Sequence, residues 1–388
     1  MSSALSSVNV AVIGTGFMGV AHTEALRRLG VNVVGVVGSS PQRAQAKADA
    51  ANLPRVFDSV QELLADPSIH AVHITSPNDS HHHAQALAVM AAGKHVICEK
   101  PLGITSAQSA DLLDRARRSG LVNAVCFNQR YYPLVHQARA MMSAGELGSA
   151  RLVSGGYLQD WLLLDTDWNW RLVSERAGAL RAVADIGSHW FDNVEFVLGA
   201  PITEVFADLH TFITERRRPD GDVETFSAHT VGDVERITER VMSDDAAGML
   251  VRFANGARGT CTISQVSPGR KNAMSWQIDG SESSVAWCQE DPEDLWVGHR
   301  GRPNELRKRD PGLMHPSAAA TAAYPAGHVE GYPDTFRALF ADVYSDIVAG
   351  GPAPNPAYPT FADGHDAVLV CDAVARSAAT GTWDAVRR

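Results

Sequence analysis

The sequence predicts an α/β protein of two domains, a parallel sheet covered by helices on both faces followed by a second α/β domain built on an open sheet of antiparallel strands. Short apolar runs alternate with amphipathic helical segments as far as Phe127, the texture changes after Pro133, and Asn255-Gly256 and Asp279-Gly280 read as tight hairpin turns between later strands. The division between the domains is expected at 130/131.

Strand and helix alternate from the start: Val8–Ile13 and Val20–Leu29, Val31–Val37 and Pro41–Ala51, then Ala71–Thr75, Ala84–Ala92, His95–Cys98, Ser106–Ser119 and Val122–Phe127. Gly30, Gly93 and Gly120 each follow a helical run, where a left-handed residue closes the last turn. The second domain reads as helix Leu134–Ala144, strand Ala150–Tyr157, helix His189–Leu198 and strand Ile202–Leu209. A meander follows through Gly248–Phe253, Arg258–Gln265, Ala273–Ile278 and Ser284–Cys288. Arg216–Val234 and Arg300–Gly331, rich in Pro and Gly, read as long loops, and helix Asp334–Ala349 precedes a proline-rich crossing at Pro352–Pro359.

With 388 residues, 45% of them hydrophobic, the chain can bury a core in each domain. A formal net charge of −10, with no basic run beyond Arg216-Arg217-Arg218, argues against nucleic acid or an anionic membrane as partner. That triplet, beside Pro219-Asp220-Gly221, reads as a solvated loop. The scattered Cys98, Cys126, Cys261, Cys288 and Cys371 have no metal-ligand spacing and suggest reduced thiols, which suits the cytoplasm. Met1–Ser7 has no signal-peptide pattern, and no run has the apolar length of a membrane span.

Gly14, Gly16 and Gly19, with Phe17 and Met18 between them, fall between the first strand and the first helix. Small residues there let the backbone approach a pyrophosphate at a helix N-terminus. The second strand ends in Val37-Gly38-Ser39-Ser40-Pro41-Gln42-Arg43, without the acid that often grips the adenosine ribose. Ser39, Ser40 and Arg43 could instead receive a 2′-phosphate, so the cofactor is NAD or NADP with a lean to NADP. Ser76, Pro77 and Asn78 lie at the end of a later strand, where a doubly wound sheet meets its cofactor. His81-His82-His83 at a helix start point in different directions and cannot share one ion, so no metal is expected, although His81 can face the nucleotide.

Glu99-Lys100-Pro101 and Asp185-Ile186-Gly187-Ser188-His189 add an ammonium, a carboxylate and an imidazole. Asp185 and His189 stand four apart, which on one helical turn places both on a common face. An imidazole can accept a hydroxyl proton at neutral pH, a nearby carboxylate can orient it, and a lysine can stabilise charge developing on the reacting oxygen.

Together with Gly14–Gly19, these two stretches resemble the Gfo/Idh/MocA oxidoreductases, the glucose-fructose oxidoreductase and inositol dehydrogenase family. Asn128–Pro133, Trp168-Asn169-Trp170-Arg171 and Pro359–Gly364 agree with that pattern. The resemblance implies a Rossmann domain over 1–130 and a substrate-binding and oligomerisation domain over 131–388, with a large, mostly antiparallel sheet that commonly lies at subunit interfaces. A homo-oligomer, dimer or tetramer, is therefore implied. Lys100, Asp185 and His189 match the family's active-site lysine, aspartate and histidine, and would converge on the nicotinamide. Glu99, Lys100, Arg130, Trp170 and Arg171 are expected to join the cofactor contacts.

Tyr157, Trp161, Asp167 and Trp168 lie in an aromatic and acidic stretch that suits a polyhydroxylated ring. With Asp185 and His189 they form the expected substrate set, and a sugar or cyclitol is the expected substrate. The leading expectation is an NAD(P)-dependent sugar or polyol dehydrogenase. A nicotinamide-dependent glycoside-cleaving enzyme that oxidises a sugar carbon transiently, and a non-catalytic nucleotide-binding sensor, are the alternatives; the intact lysine, aspartate and histidine count against the sensor.

Overall fold

A computed structural model gives the structure of residues 2–78, 81–220 and 235–388. The chain forms two compact units, Met1–Asn128 with Pro333–Val368, and Gln129–Tyr332 with Leu369–Arg388. The chain passes from the first unit to the second after Asn128, and 333–368, placed by the sequence reading in the 131–388 domain, belong to the first unit. The return of 333–368 to the first unit is not visible in local sequence.

The first unit holds five parallel strands, β1 (Asn9–Ile13), β2 (Asn32–Val37), β3 (Ala71–Ile74), β4 (His95–Cys98) and β5 (Asn123–Val125), in the order β2-β1-β3-β4-β5. The chain steps one way from β1 to β2 and the other way from β3 to β5, so right-handed crossovers place helices on both faces. The strands are mostly apolar because both faces are covered, and every residue of β3 is buried, His73 included. Helix ends follow the sequence signals. Ser40, Ser59 and Thr105 cap helices Pro41–Ala50, Val60–Ala65 and Ser106–Ser119 through their hydroxyls, and Gly30 and Gly120 close helices in the left-handed region at φ 81° and 65°. Helix Tyr332–Ala349 joins this unit through residues four apart. Phe336 and Phe340 lie 5.2 and 4.9 Å from His22, and Tyr344 stacks on His73 at 5.9 Å.

The second unit is built on nine strands: β6 (Ala150–Leu158), β7 (Ile202–His210), β10 (Ala246–Phe253), β11 (Arg258–Ser264), β12 (Ala273–Gly280), β13 (Ser284–Cys288), β14 (Asp294–Gly298), β15 (Glu305–Lys308) and β16 (Asp384–Ala385). They run in the order β15-β14-β13-β12-β6-β11-β10-β7-β16, antiparallel except for β6 beside β11. Helices Pro133–Ser143 and Ser188–Leu198 pack on this sheet. Trp190, Phe191, Val194 and Val197 are wholly buried, and Trp276 Nε1 donates to Asn193 Oδ1 at 2.8 Å.

Four expectations are corrected. Asp279 and Gly280 end β12 instead of forming the turn, which lies at 281–283; a Cβ on Gly280 would overlap the Leu147 carbonyl oxygen, so close approach and not a positive φ calls for glycine. Glu215–Pro219 (β8) pairs with Arg236–Arg240 (β9) where a loop was expected, and 221–234 lie outside the described residues. Within that strand Arg216 is wholly buried, not solvated, because Asp245 neutralises it. The stretch 300–331 also carries β15 and a short helix, Pro316–Ala319. No helix among the described residues is long and apolar enough to cross a membrane.

His136 of helix Pro133–Ser143 makes this unit sensitive to acid. Its Nε2 is buried between Tyr131 and Phe196, and burial, with Arg130 and Arg139 nearby, lowers its pKa from 6.5 to about 3. The unfolded chain protonates here near pH 6.5 and the folded chain only near 3. Stability is thus full above the first value and falls as the pH drops toward the second, by at most about 1.4 kcal/mol per pH unit. A His136→Leu variant is expected to lose less of its thermal unfolding midpoint than the parent between about pH 7.5 and about pH 5. Equal losses would show that other groups govern the acid limb.

Candidate active site

In the first unit β1 and β3 are neighbours at the point where the strand order reverses, and the glycine turn sits at their C-terminal ends. Gly14 has φ 106°, and a Cβ there would meet Thr75 Oγ1 at 2.7 Å and the Ser76 nitrogen at 2.8 Å. A Cβ on Gly19 would overlap the Gly14 carbonyl oxygen, whereas one on Gly16 would meet nothing within 4 Å. The outer glycines therefore close strand on helix, and the middle one leaves space. Gly16 is the N-cap of helix Phe17–Leu29 without a side-chain cap, so the positive end of a 13-residue helix lies beside that space. Phe17 is 53% exposed there. The next loop contributes Asn78, whose buried Oδ1 hydrogen-bonds nothing among the described residues, while Ser76 Oγ donates to Gln85 Oε1 at 2.7 Å.

The remaining cofactor candidates divide. Ser40 Oγ accepts from the Arg43 nitrogen at 3.3 Å and so serves the helix as a cap; Ser39 and Arg43 are exposed. The three histidines take separate directions: His81 is exposed, His82 lies between the carbonyls of Ser76 and Pro101 at 2.8 and 2.9 Å, and His83 meets Asp111 at 2.8 Å. Arg130 belongs to the second unit, where it makes a bidentate pair with Asp192 at 2.8 and 2.5 Å and packs on Phe196.

Glu99 and Lys100 follow β4. Glu99 Oε1 lies 2.9 Å from His22 Nε2, His22 Nδ1 lies 2.9 Å from His73 Nδ1, and His73 Nε2 lies 2.8 Å from the Tyr344 hydroxyl. A carboxylate only accepts, so His22 Nε2 donates to Glu99. Burial first, and His22 second, hold His73 well below its ordinary pKa. Glu99 Oε2 in turn accepts the Lys100 backbone N–H at 3.2 Å, so this buried row sets the main chain that carries Lys100. His22, Glu99 and Cys126 each bring a potential ligand atom within 4.8 Å of the others. Burial and the Glu99 charge push the Cys126 thiol well above its usual range.

Asp185 and His189 are in the second unit. They straddle a junction: Val183–Gly187 is a π-helical turn and Ser188–Leu198 an α-helix, so the expected four-residue α-helical spacing is opened by one wider turn. Asp185 Oδ1 accepts from Arg171 Nε at 3.1 Å and Oδ2 from Gln265 Nε2 at 2.9 Å. His189 is buried, with the Tyr157 ring at 6.3 Å, and burial raises the Tyr157 hydroxyl above its ordinary pKa. Arg171 also lies over Trp170 at 4.6 Å. Trp161 Nε1 donates to Gln159 Oε1 at 2.9 Å. Asp167 and Trp168 serve their own loop: Asp167 accepts from the Leu164 nitrogen at 2.7 Å, and Trp168 packs on the cluster of Leu162, Leu172 and Val241. Sequence reading passed over His22, His73 and Tyr344, and over Gln265, Asn272 and Gln289 at the strand ends. Only a count of polar residues at element ends could have raised the amides.

Residues 8–127 match the model of an oxidoreductase family with an NAD-binding Rossmann fold, and residues 135–286 match the GFO/IDH/MocA C-terminal domain. The chain belongs to the Gfo/Idh/MocA oxidoreductase family. This Gfo/Idh/MocA protein is 32% identical to levoglucosan dehydrogenase of Pseudarthrobacter phenanthrenivorans, over 98% of either chain. It is 26% identical to a myo-inositol dehydrogenase of Streptomyces leeuwenhoekii, over 97% of this chain and 98% of that one. A solved structure of levoglucosan dehydrogenase in complex with NADH and L-sorbose matches with TM-score 0.87 at 30% identity, covering 98% of this chain and 99% of that chain. The chain is accordingly an oxidoreductase with an NAD-binding Rossmann domain. The open face of Gly16, the helix end beside it and the unmatched Asn78 oxygen fit a dinucleotide.

Proposed function

We propose that the protein is a sugar or cyclitol dehydrogenase in which Lys100 and His189 form the acid/base pair and Asp185 orients it. The observation that carries this reading is the Asp185 carboxylate, fixed from both sides by Arg171 and Gln265 in the same unit as a buried His189. A nicotinamide cofactor held at Gly14–Gly19 would supply the hydride acceptor or donor, and the chain's own residues handle the proton. His189 takes the hydroxyl proton of the carbon being oxidised, and a carboxylate held in one orientation stabilises the imidazolium. Lys100 donates a hydrogen bond to the same oxygen and stabilises the charge that develops on it. Levoglucosan dehydrogenase and myo-inositol dehydrogenase among the relatives support a polyhydroxylated substrate.

The lean toward NADP rests on Gly38–Arg43, which contains no carboxylate to repel a 2′-phosphate and leaves Ser39 and Arg43 exposed to receive one. A homo-oligomer is part of the reading, because Leu152 and Leu250 are 56% and 45% exposed on one face of the nine-stranded sheet, in register through Arg258 and Thr260. The proposed setting is the cytoplasm.

The test is a screen of levoglucosan, myo-inositol and common aldoses with NAD and with NADP, read as kcat/KM from the absorbance of reduced nicotinamide, with sedimentation velocity on the same protein. Stoichiometric reduction with at least one polyol is expected. Failure of every polyol to reduce either cofactor would overturn the reading, and a large preference for NAD would overturn the lean to NADP.

A further inference from the structure

One end of the nine-stranded sheet is unusually rich in amides. Gln159 follows β6, Gln265 follows β11, Gln289 follows β13 and Asn272 precedes β12. The register brings them together, since Leu158 pairs with both Ser264 and Ala273, and Ser275 with Cys288. Gln129 reaches the same place, donating through Nε2 to the Tyr157 hydroxyl at 2.8 Å.

Two one-way groups orient this network. The Trp161 indole can only donate, so Gln159 turns its oxygen to Trp161 and its nitrogen to Asn272 Oδ1 at 2.8 Å. Asn272 Oδ1 therefore accepts, and it receives the single Tyr157 hydroxyl proton as well. Gln129, which bonds the Tyr157 oxygen, must then present nitrogen to it. At the other end the Asp185 carboxylate can only accept, so Gln265 also presents nitrogen. The amide oxygens of Gln129 and Gln265 are thereby turned away from those partners, and the buried oxygen of Gln289 joins them. The three residues are 3%, 0% and 6% exposed, and none of the three oxygens is hydrogen-bonded among the described residues. Buried acceptors are almost always matched, and those that are not point to a donor supplied from outside the chain.

We propose that the Gln129, Gln265 and Gln289 carbonyls form a hydroxyl-accepting subsite that selects a polyol by the number of hydroxyl donors it offers. The inference rests on the dehydrogenase reading and gives its site a substrate class: a compact neutral molecule with several adjacent hydroxyls, as opposed to a carboxylate, a phosphate or a deoxygenated ring, none of which brings enough donors. Discrimination follows from the same physics. A ligand lacking one hydroxyl leaves a buried carbonyl without a donor, and sites of this kind reject such analogues strongly.

The experiment compares levoglucosan and myo-inositol with their monodeoxy derivatives as substrates of the holoenzyme, in the parent and in Gln129→Leu, Gln265→Leu and Gln289→Leu. The parent should prefer each full polyol over a deoxy analogue by about ten- to a hundred-fold in kcat/KM. Each leucine variant should lose that preference at one ring position and keep it at the others. Unfolding midpoint and NADH affinity serve as controls for folding. A parent that does not discriminate, or variants that weaken full and deoxy substrates by the same factor, would overturn the proposal and leave the glutamines a structural role. If no polyol is oxidised, the dehydrogenase reading fails by itself. Calorimetric titration of levoglucosan into the protein–NADH complex then decides the subsite: tighter binding by the parent than by all three variants supports it, and equal or absent binding overturns it.

Discussion

Lys100→Met is expected to reduce kcat/KM toward the best polyol by about 10³-fold or more while NADH still binds. The substitution keeps the length of the side chain and removes its charge and all its donors. Loss of one preorganised donor at a developing oxyanion costs about 10²–10³ in rate, and loss of a proton-transfer partner about 10²–10⁴. The surrounding structure should survive, because what holds this part of the chain is Glu99, through the Lys100 backbone N–H on one oxygen and His22 on the other. Protein fluorescence quenching by NADH and the unfolding midpoint should therefore match the parent. Retained turnover in Lys100→Met would remove lysine from the mechanism, whereas lost NADH binding would place it in the cofactor site alone.

The largest loss of stability is expected from Asp245→Asn. Asp245 Oδ1 pairs with both Arg181 and Arg216, and Oδ2 accepts the Ile213 N–H at 2.8 Å; the three charged side chains are wholly buried. Removing the carboxylate takes away the one charge that both guanidinium groups pair with directly, a change that costs about 3–5 kcal/mol when one partner of a buried pair is deleted. The effect should reach the site. Arg216 donates to the carbonyls of Leu162, Leu164 and Asp167, in the loop that carries Trp161 and Trp168. Neighbouring Asp244 accepts the amides of Arg181 and Val183, which begin the π-helical turn of Asp185. KM should rise with the loss of stability. Arg216→Met added to Asp245→Asn should recover part of it, since Arg181 then retains Asp244 as its only neighbour of opposite charge in the cluster. The exposed Arg217–Asp165 pair beside it is the control, and Asp165→Asn should change little. Equal effects of the two asparagine substitutions would refute the central role of Asp245.

The two histidines illustrate how far local pattern reaches. His22 lies on the first helix and His73 on β3, and nothing within four residues of either indicates a partner. Tyr344, which hydrogen-bonds His73, is 271 residues away in sequence. The arginine triplet failed as a solvated loop for the same reason: its neighbours Pro219-Asp220-Gly221 suggest a turn, while the charge that buries Arg216 comes from Asp245. The amide subsite was equally hidden, because glutamines at strand ends carry no periodicity and their orientation follows from a proton count across five elements.

By itself the sequence determined the strand–helix alternation of the first unit, its helix caps and the glycine turn. These depend on periodicity, capping and backbone space, which act within about four residues along the chain. Only the tertiary structure decided that helix Tyr332–Ala349 returns to the first sheet, that Asp185 rides on a π-helical turn, that Arg216 is buried, and that the carbonyls of Gln129, Gln265 and Gln289 meet no donor among the described residues. Those outcomes depend on which distant groups compete for the same hydrogen bonds and charges once water is excluded, and that competition exists only after the strands have found their order.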